Sequence, residues 1–177
     1  MQIFICGGVD ADMKKEYLKG IKELAKNLVK KGHSIILVGA KTGPIGEIYN
    51  TFISLGGTVD LIVPECYASD ADNMVGRSII NVPNLYVLQQ IGLKNSDATI
   101  ILPGGNGTIA EMYMCADNNK AGFDKDPIYV FNINGYYNLV KQMHNFMVET
   151  GAMKPFQKKY LTFCDTYQDI LKHIDNK

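Results

Sequence analysis

"ATIILPGGNGTIAEM", residues 98–112, is the stretch that decides the fold. It opens with aliphatic and β-branched residues, which predict a strand covered on both faces. Three glycines and a threonine follow in a turn, and the apolar residues after it recur with helical spacing, so we expect a helix over 108–119. A strand that passes through a glycine-rich turn into a helix is typical of parallel α/β sheets.

The same alternation extends along the whole chain in both directions. Strands are predicted at 2–6, 34–39, 59–64, 98–103, 127–132 and 160–164. Helices are predicted at 12–31, 44–56, 84–95, 108–119, 136–149 and 166–174. The stretch 65–97 is less regular and contains only the helix near 84–95. This pattern predicts an α/β fold, a Rossmann-like doubly wound parallel sheet that forms a single domain over residues 1–177.

Glycine-rich turns follow three of the predicted strands, at 7–8, 38–47 and 103–108. The carboxyl ends of parallel strands meet at one edge of a sheet, where ligands bind. Glycine lets backbone N–H groups approach a ligand, and a helix that begins there favours an anion such as phosphate. Two structural alternatives stay open: the glycines serve only the turns, and Thr108 with Glu111 forms only a capping box. No turn matches the GxGxxG or Walker A spacing.

Composition excludes several classes of function. The 177 residues include 18 basic and 18 acidic side chains, and this balance argues against general binding of nucleic acid polymers or anionic membranes. The amino terminus has no signal-peptide pattern, and no apolar run has the roughly 20 residues of a membrane span. The four cysteines lie far apart, so we expect reduced thiols, no metal site and a cytoplasmic location.

A family resemblance rests on several of these segments. "PGGNGTIAE" (103–111) resembles the PGGxGTxxE signature of the Lonely Guy family of phosphoribohydrolases, which are also described as possible lysine decarboxylases. "GAKTGPIGE" (39–47) is similar to the family's other glycine-rich loop in a looser form. "SDATIILPGG" (96–105) and "DKDPIYVFNINGYYNLV" (124–140) resemble the segments around the signature. The resemblance covers nearly the whole chain and is weakest over 65–95.

The resemblance implies an enzyme that hydrolyses the N-glycosidic bond of a nucleoside 5′-monophosphate, releasing free base and ribose 5-phosphate without a cofactor. Glu111 matches the catalytic glutamate. The phosphate is expected on the loop formed by Gly104, Gly105, Asn106, Gly107 and Thr108. Further substrate contacts are expected from Gly7, Gly8, Gly39, Gly43 and Gly46. Family members are dimers, and the apolar helix 84–95 also favours a homodimer.

One departure from the family's pattern affects the predicted activity. The family has an Arg-Lys pair in the helix before the signature, and Leu88 and Gln89 occupy those places here. Arg77 is the only arginine in the chain. We expect it to supply the missing cation near the phosphate or Glu111 of its own or of a partner subunit, and the alternative is a solvated surface arginine. Two alternatives remain: a nucleotide-sensing module that does not hydrolyse its ligand, and an enzyme similar to nucleoside deoxyribosyltransferases. Lysine decarboxylation finds no support, because nothing marks a Schiff-base lysine.

Overall fold

Seven parallel strands form one sheet in the computed structural model, which describes residues 1–176. Their spatial order is β4-β3-β2-β1-β5-β6-β7. The strands are β1 (Gln2–Cys6), β2 (Ser34–Val38), β3 (Val59–Pro64), β4 (Ser78–Val82), β5 (Ala98–Ile101), β6 (Ile128–Phe131) and β7 (Thr162–Cys164). Lys177, the last residue of the predicted domain, lies outside the described residues.

Helices cover both faces of this sheet, so the predicted doubly wound architecture is confirmed. In the described part of the chain they are α1 (Lys15–Lys30), α2 (Gly43–Ser54), α3 (Leu85–Lys94), α4 (Asn106–Ala121), α5 (Asn138–Glu149) and α6 (Tyr167–Asp175). Helices α1, α2 and α6 share one apolar cluster with the sheet, and α3 and α4 share the other, to which α5 adds its first turn. No helix within residues 1–176 is long and apolar enough to cross a membrane.

Strand β1 shows how the two clusters arise. Its alternate side chains point to opposite faces, so Ile3 and Ile5 join one cluster while Phe4 and Cys6 join the other. Helix α3 packs closely over this strand at Gly92, where a Cβ would lie 2.5 Å from the Phe4 ring. This close approach leaves no room for a side chain at position 92.

The chain reverses its winding direction at β1, which pairs with β2 on one side and with β5 on the other. At such a switch point the turns after the two neighbouring strands diverge and leave a crevice. Here the turn after β1 and the turn after β5 are tied together, because Gly8 N–H donates to the Pro103 carbonyl over 3.0 Å. The fold therefore brings the predicted 7–8 and 103–108 loops to one place.

Residues 78–82 correct the prediction that 65–97 contains only a helix, since they form β4 at the edge of the sheet. Pairing with β3 places Ser78 opposite Asp60. The middle of the strand is exposed, including Ile79 and Ile80. It therefore lacks the continuous run of buried residues by which the other strands are recognised in the sequence. A short half-exposed edge strand gives little periodicity by which to recognise it.

Candidate active site

A cavity of about 430 Å³ opens between the carboxyl ends of β1 and β5. Both of the tied glycine turns line it, and Glu111 and Gln89 form part of its wall. The remaining lining is largely apolar or aromatic, with one further carboxylate; it consists of Val9, Asp10, Val38, Tyr67, Leu85, Tyr86, Ala110 and Met114. An apolar pocket with a few polar groups that point into it is the usual form of a small-molecule site.

The amino end of α4 supplies the cavity with free backbone donors. The helix begins at Asn106 with Gly105 as its N-cap, and no side chain caps it. The N–H groups of residues 105–108 donate no hydrogen bond to any acceptor within residues 1–176. These groups and the positive end of the helix dipole can hold an anion, and the phosphate site expected here stays a prediction.

The glycines of this loop divide into two classes. A Cβ at Gly105 or Gly107 would have no heavy atom within 4 Å, so packing does not require glycine there. A Cβ at Gly104 would lie 2.1 Å from Thr108 Oγ1 and 2.6 Å from the Gly8 nitrogen. Gly104 is therefore needed for contact between the loops, whereas Gly105 and Gly107 leave space at the exposed N–H groups.

Helix α4 starts two residues earlier than predicted, and this changes the role of Thr108. The side chain lies inside the first turn, is buried and packs against Gly104. Because Gly105 is the N-cap, Thr108 and Glu111 do not form the capping box that was the structural alternative.

Two adjacent tyrosines hold the loop from behind. The Tyr136 hydroxyl donates to the Gly104 carbonyl over 3.0 Å, and the Tyr137 hydroxyl donates to the Leu102 carbonyl over 2.6 Å. In a trans peptide the C=O and N–H bonds point in opposite directions. The bond from Tyr136 therefore orients the N–H of Gly105 away from the tyrosine. No local sequence pattern predicts this role, because the two bonds reach back across more than thirty residues.

Glu111 lies one helical turn beyond the loop, in the cavity wall. Burial raises the pKa of its carboxyl to about 7, although a hydrogen bond from the Cys6 thiol acts in the opposite direction. Burial, together with the neighbouring Cys115 and Glu111, also raises the pKa of the Cys6 thiol, which stays protonated and able to donate. Near neutral pH Glu111 therefore exists in both its acid and its base form, as a group that exchanges protons requires.

The two positions of the absent Arg-Lys pair have different surroundings. Leu88 is part of the apolar core, whereas Gln89 reaches the cavity. Its Nε2 donates to the Glu111 carbonyl over 2.9 Å and to Cys115 Sγ over 3.2 Å. No lysine, arginine or histidine of the described chain lines the cavity, so a neutral amide stands beside Glu111 where the resemblance leads one to expect a cation.

Arg77 does not supply that cation within one chain, and this part of the prediction is wrong. It precedes β4 at the amino edge of the sheet, opposite to the cavity, where its guanidinium binds Asp60 and Gln2. Burial tends to raise the pKa of Asp60, but hydrogen bonds from Arg77, Ser78 and Gln2 outweigh it and lower that pKa. The arginine is fixed because its partner is a buried carboxylate.

The second glycine loop also differs from prediction, since Gly39, Gly43 and Gly46 do not line the cavity. These three glycines instead allow close packing of the backbone. A Cβ at Gly39 would lie 2.7 Å from that of Ala71, and one at Gly46 would lie 2.2 Å from the Lys41 backbone. Gly43 has a positive φ of 63° and abuts the backbone of residues 9–10. This loop shapes the cavity's surroundings, whereas Gly7 and Gly8 lie in its wall as predicted.

The described residues contain no group of three or more His, Cys, Asp or Glu side chains that could hold a metal ion. The lining also offers no lysine for a Schiff base. The chemically useful groups in the cavity are therefore backbone N–H donors, carboxylates, the amides of Gln89 and Asn106, the Thr108 hydroxyl and tyrosine rings.

Sequence comparison relates the chain to one family. The profile of the family described as "Possible lysine decarboxylase" matches residues 45–174. A probable cytokinin riboside 5′-monophosphate phosphoribohydrolase of Oryza sativa subsp. japonica is 25% identical over 173 residues, which cover 96% of this chain and 81% of that protein. The cytokinin riboside 5′-monophosphate phosphoribohydrolase of Mycobacterium tuberculosis is 24% identical over 159 residues, covering 89% and 84% respectively.

Solved structures with this fold include molybdenum cofactor proteins. The molybdenum cofactor carrier protein of Chlamydomonas reinhardtii has a TM-score of 0.72 at 18% identity and covers 99% of this chain and 96% of its own. The molybdenum cofactor binding protein of Rippkaea orientalis has a TM-score of 0.74 at 15% identity, with coverages of 99% and 95%. At such identities the likeness shows the fold alone.

Proposed function

Since the chain belongs to the family described as possible lysine decarboxylases, whose members include phosphoribohydrolases, we propose that it hydrolyses the N-glycosidic bond of a nucleoside 5′-monophosphate. The observation that carries this proposal is the position of Glu111, a half-buried carboxylate one helical turn from a set of unpaired backbone N–H groups. This arrangement fits a phosphate at one end of a ribose and a reacting carbon at the other.

The phosphate binds at the amino end of α4. Backbone N–H groups of residues 105–108 donate to its oxygens, and the helix dipole adds a favourable potential. The absence of side chains at Gly105 and Gly107 supports this placement, because neither packing nor a positive φ requires glycine there. The base then lies against the aromatic part of the wall at Tyr67 and Tyr86.

Glu111 acts on the sugar. As the bond between C1′ and the base nitrogen lengthens, positive charge develops on the ribose, and the carboxylate stabilises it. A water oxygen bonds to C1′ while Glu111 takes the water's proton. The electron pair of the broken bond stays on the base nitrogen, which takes up a proton, and the products are free base and ribose 5-phosphate.

The family's descriptive name suggests a different reaction, which the cavity does not fit. Decarboxylation of an amino acid by pyridoxal phosphate requires a lysine that forms a Schiff base with the cofactor. No lysine lines the cavity within residues 1–176. The residues present therefore favour glycosidic hydrolysis.

A second candidate function is nucleotide binding without hydrolysis. Gln89 favours it, because a neutral amide stands next to Glu111 in place of the family's cation. The test is a panel of ribonucleoside and deoxyribonucleoside 5′-monophosphates incubated with the protein, with free base and sugar phosphate separated by chromatography. Release of base in equal amounts with ribose 5-phosphate supports the hydrolase. Binding by calorimetry without release from any member of the panel supports the second function and contradicts the first.

A further inference from the structure

Gln89 makes contacts in the cavity wall that have no part in the proposed reaction. Its side chain is among the few buried polar ones, with 3% exposure, yet it reaches the cavity wall. The amide Nε2 has two hydrogens, and both have partners: the Glu111 carbonyl at 2.9 Å and Cys115 Sγ at 3.2 Å. The amide is therefore held on the side of α4.

These two partners also determine which way the amide faces. A flipped amide would place Oε1 against the Glu111 carbonyl oxygen, and two acceptors would then face each other without a hydrogen. The orientation with Nε2 towards α4 is the one that satisfies both acceptors, so Oε1 points away from the helix.

The Oε1 atom is left as a free acceptor. No group within residues 1–176 donates to it, and it is not one of the partnerless atoms sealed inside the protein. It therefore opens on the cavity that Gln89 lines. The charged side chains in the same lining are the carboxylates of Asp10 and Glu111, which also accept when ionised. A ligand that binds here must offer a hydrogen-bond donor.

The position of Gln89 along α4 indicates which donor group of the ligand reaches Oε1. At a rise of about 1.5 Å per residue, Glu111 lies about 4.5 Å and Cys115 about 10 Å along the axis from Thr108. Gln89 bonds to both of these residues, so it lies beyond the phosphate loop at the level where the proposed substrate has its ribose. The donors of a ribose are its hydroxyls, and the 2′-hydroxyl adjoins the reacting C1′.

We infer that Gln89 determines specificity for the sugar, with its Oε1 accepting a hydrogen bond from the ribose 2′-hydroxyl. The inference rests on the proposed function for the orientation of the ligand. It makes the substrate class narrower: ribonucleotides bind in preference to 2′-deoxyribonucleotides. It also gives the place of the absent lysine a function of its own, because an ammonium group has three donors and could not accept this hydrogen bond.

The experiment compares ligands that differ only at the 2′ position. Adenosine, guanosine, cytidine and uridine 5′-monophosphates are titrated against their 2′-deoxy and 2′-deoxy-2′-fluoro analogues by calorimetry, in a Glu111→Gln background that suppresses turnover. Fluorine keeps a substituent in place but cannot donate. We expect the best ribonucleotide to bind about tenfold more tightly than both analogues, which is a usual cost of one unpaired buried acceptor.

Adding Gln89→Met should bring the three affinities to within about twofold, since methionine keeps the side-chain length but has no amide. Leu88→Met is the matched control on the neighbouring core residue and should keep the preference. An unchanged preference in a folded Gln89→Met protein would overturn the inference. If that variant does not fold, the comparison of ligands on the Glu111→Gln protein decides. Binding of the 2′-fluoro analogue as tightly as the ribonucleotide would then overturn the inference.

Base release is measured separately on protein that retains Glu111. If ribonucleotides bind preferentially but no free base is released, the proposed hydrolysis is contradicted and the role of Gln89 is supported. If base is released equally from ribo- and deoxyribonucleotides, the role of Gln89 is contradicted and the hydrolysis is supported. Failure of every nucleotide to bind contradicts both.

Discussion

The proposed role of Glu111 predicts a pH dependence of activity in one direction. Burial raises the pKa of its carboxyl to about 7, and in the proposed reaction the ionised form stabilises the sugar cation and takes a proton from water. Activity should therefore be low in acid, rise as pH passes through about 7 and level off above it. The measurement is kcat/KM against pH, which reports groups of the free enzyme. A flat profile between pH 5 and 8, or a fall with increasing pH, would contradict the role of this residue.

Gly105 and Gly104 offer a matched pair of substitutions. Gly105→Val places a side chain in open space at the anion site, so we predict that it abolishes nucleotide binding and leaves the fold intact. Gly104→Ala forces a Cβ against Thr108 and Gly8, and overpacking of this kind costs about 1–3 kcal/mol of unfolding free energy. Calorimetry and thermal melting distinguish the two effects. Nucleotide binding by Gly105→Val with unchanged affinity would exclude the phosphate site.

The sequence was most informative about residues that a local motif places. The family signature predicts the loop 104–108 and Glu111 together, and the strand pattern brings Gly7 and Gly8 to the same edge. Gln89 could be located only as the position of a missing residue, and its amide contacts depend on how closely α3 approaches β1. Tyr67 lies in the irregular segment and Tyr86 at the start of the predicted helix 84–95, and no pattern marks either as a lining residue.

At the level of elements, the pairing of β3 with β4 depends on the network around Asp60. This carboxylate is 7% exposed and accepts from Arg77, Ser78 and Gln2. Arg77→Ala should lower the free energy of unfolding by about 1–2 kcal/mol, a modest loss because the arginine side chain is 57% exposed and screened by water.

The same variant tests whether Arg77 contributes to the nucleotide site. Arg77 lies at the sheet edge opposite the cavity, so nucleotide affinity should not change when it is replaced. Thermal melting and calorimetry on Arg77→Ala measure both quantities. Unaltered stability would contradict the structural role, and weakened nucleotide binding in a folded protein would show that the arginine contributes to a site after all.

The elements themselves were predictable where burial is continuous and helices are amphipathic. Strand β4 was not predictable, because its middle residues face solvent at the edge of the sheet. The start of α4 was placed too late, because Gly105 acts as N-cap through backbone conformation alone, without the side chain by which caps are recognised. Both differences arise from tertiary context that a local pattern does not contain.

For the whole molecule, the homodimer remains a prediction, and the structure offers two apolar surfaces for it. In α3, Leu88 and Leu93 are buried, whereas Leu85 stays exposed. Helix α5 also exposes Leu139, Met143 and Phe146, which lie on one face at helical spacing. Symmetric pairing is the commonest way to cover such a surface.

Phe146→Glu tests the α5 surface, because a charge there opposes burial against a second copy. Light scattering should give a mass near twice 19.6 kDa for the natural chain and a shift towards 19.6 kDa for the variant. Leu55→Glu is the control, since Leu55 is an exposed apolar residue at the end of α2, which packs on the other face of the sheet. A natural chain that remains monomeric at micromolar concentration would contradict the dimer.

Catalysis by Glu111 at a nucleotide site is the proposal on which the others depend, and a comparison of turnover with binding tests it. On the nucleoside 5′-monophosphate that the natural protein cleaves fastest, Glu111→Gln should reduce turnover by about 100-fold or more, as expected when a charge-stabilising group that accepts protons is lost. Calorimetry should show that affinity for the same nucleotide is retained, because the phosphate loop is unchanged. Turnover by Glu111→Gln at the rate of the natural protein would contradict the account.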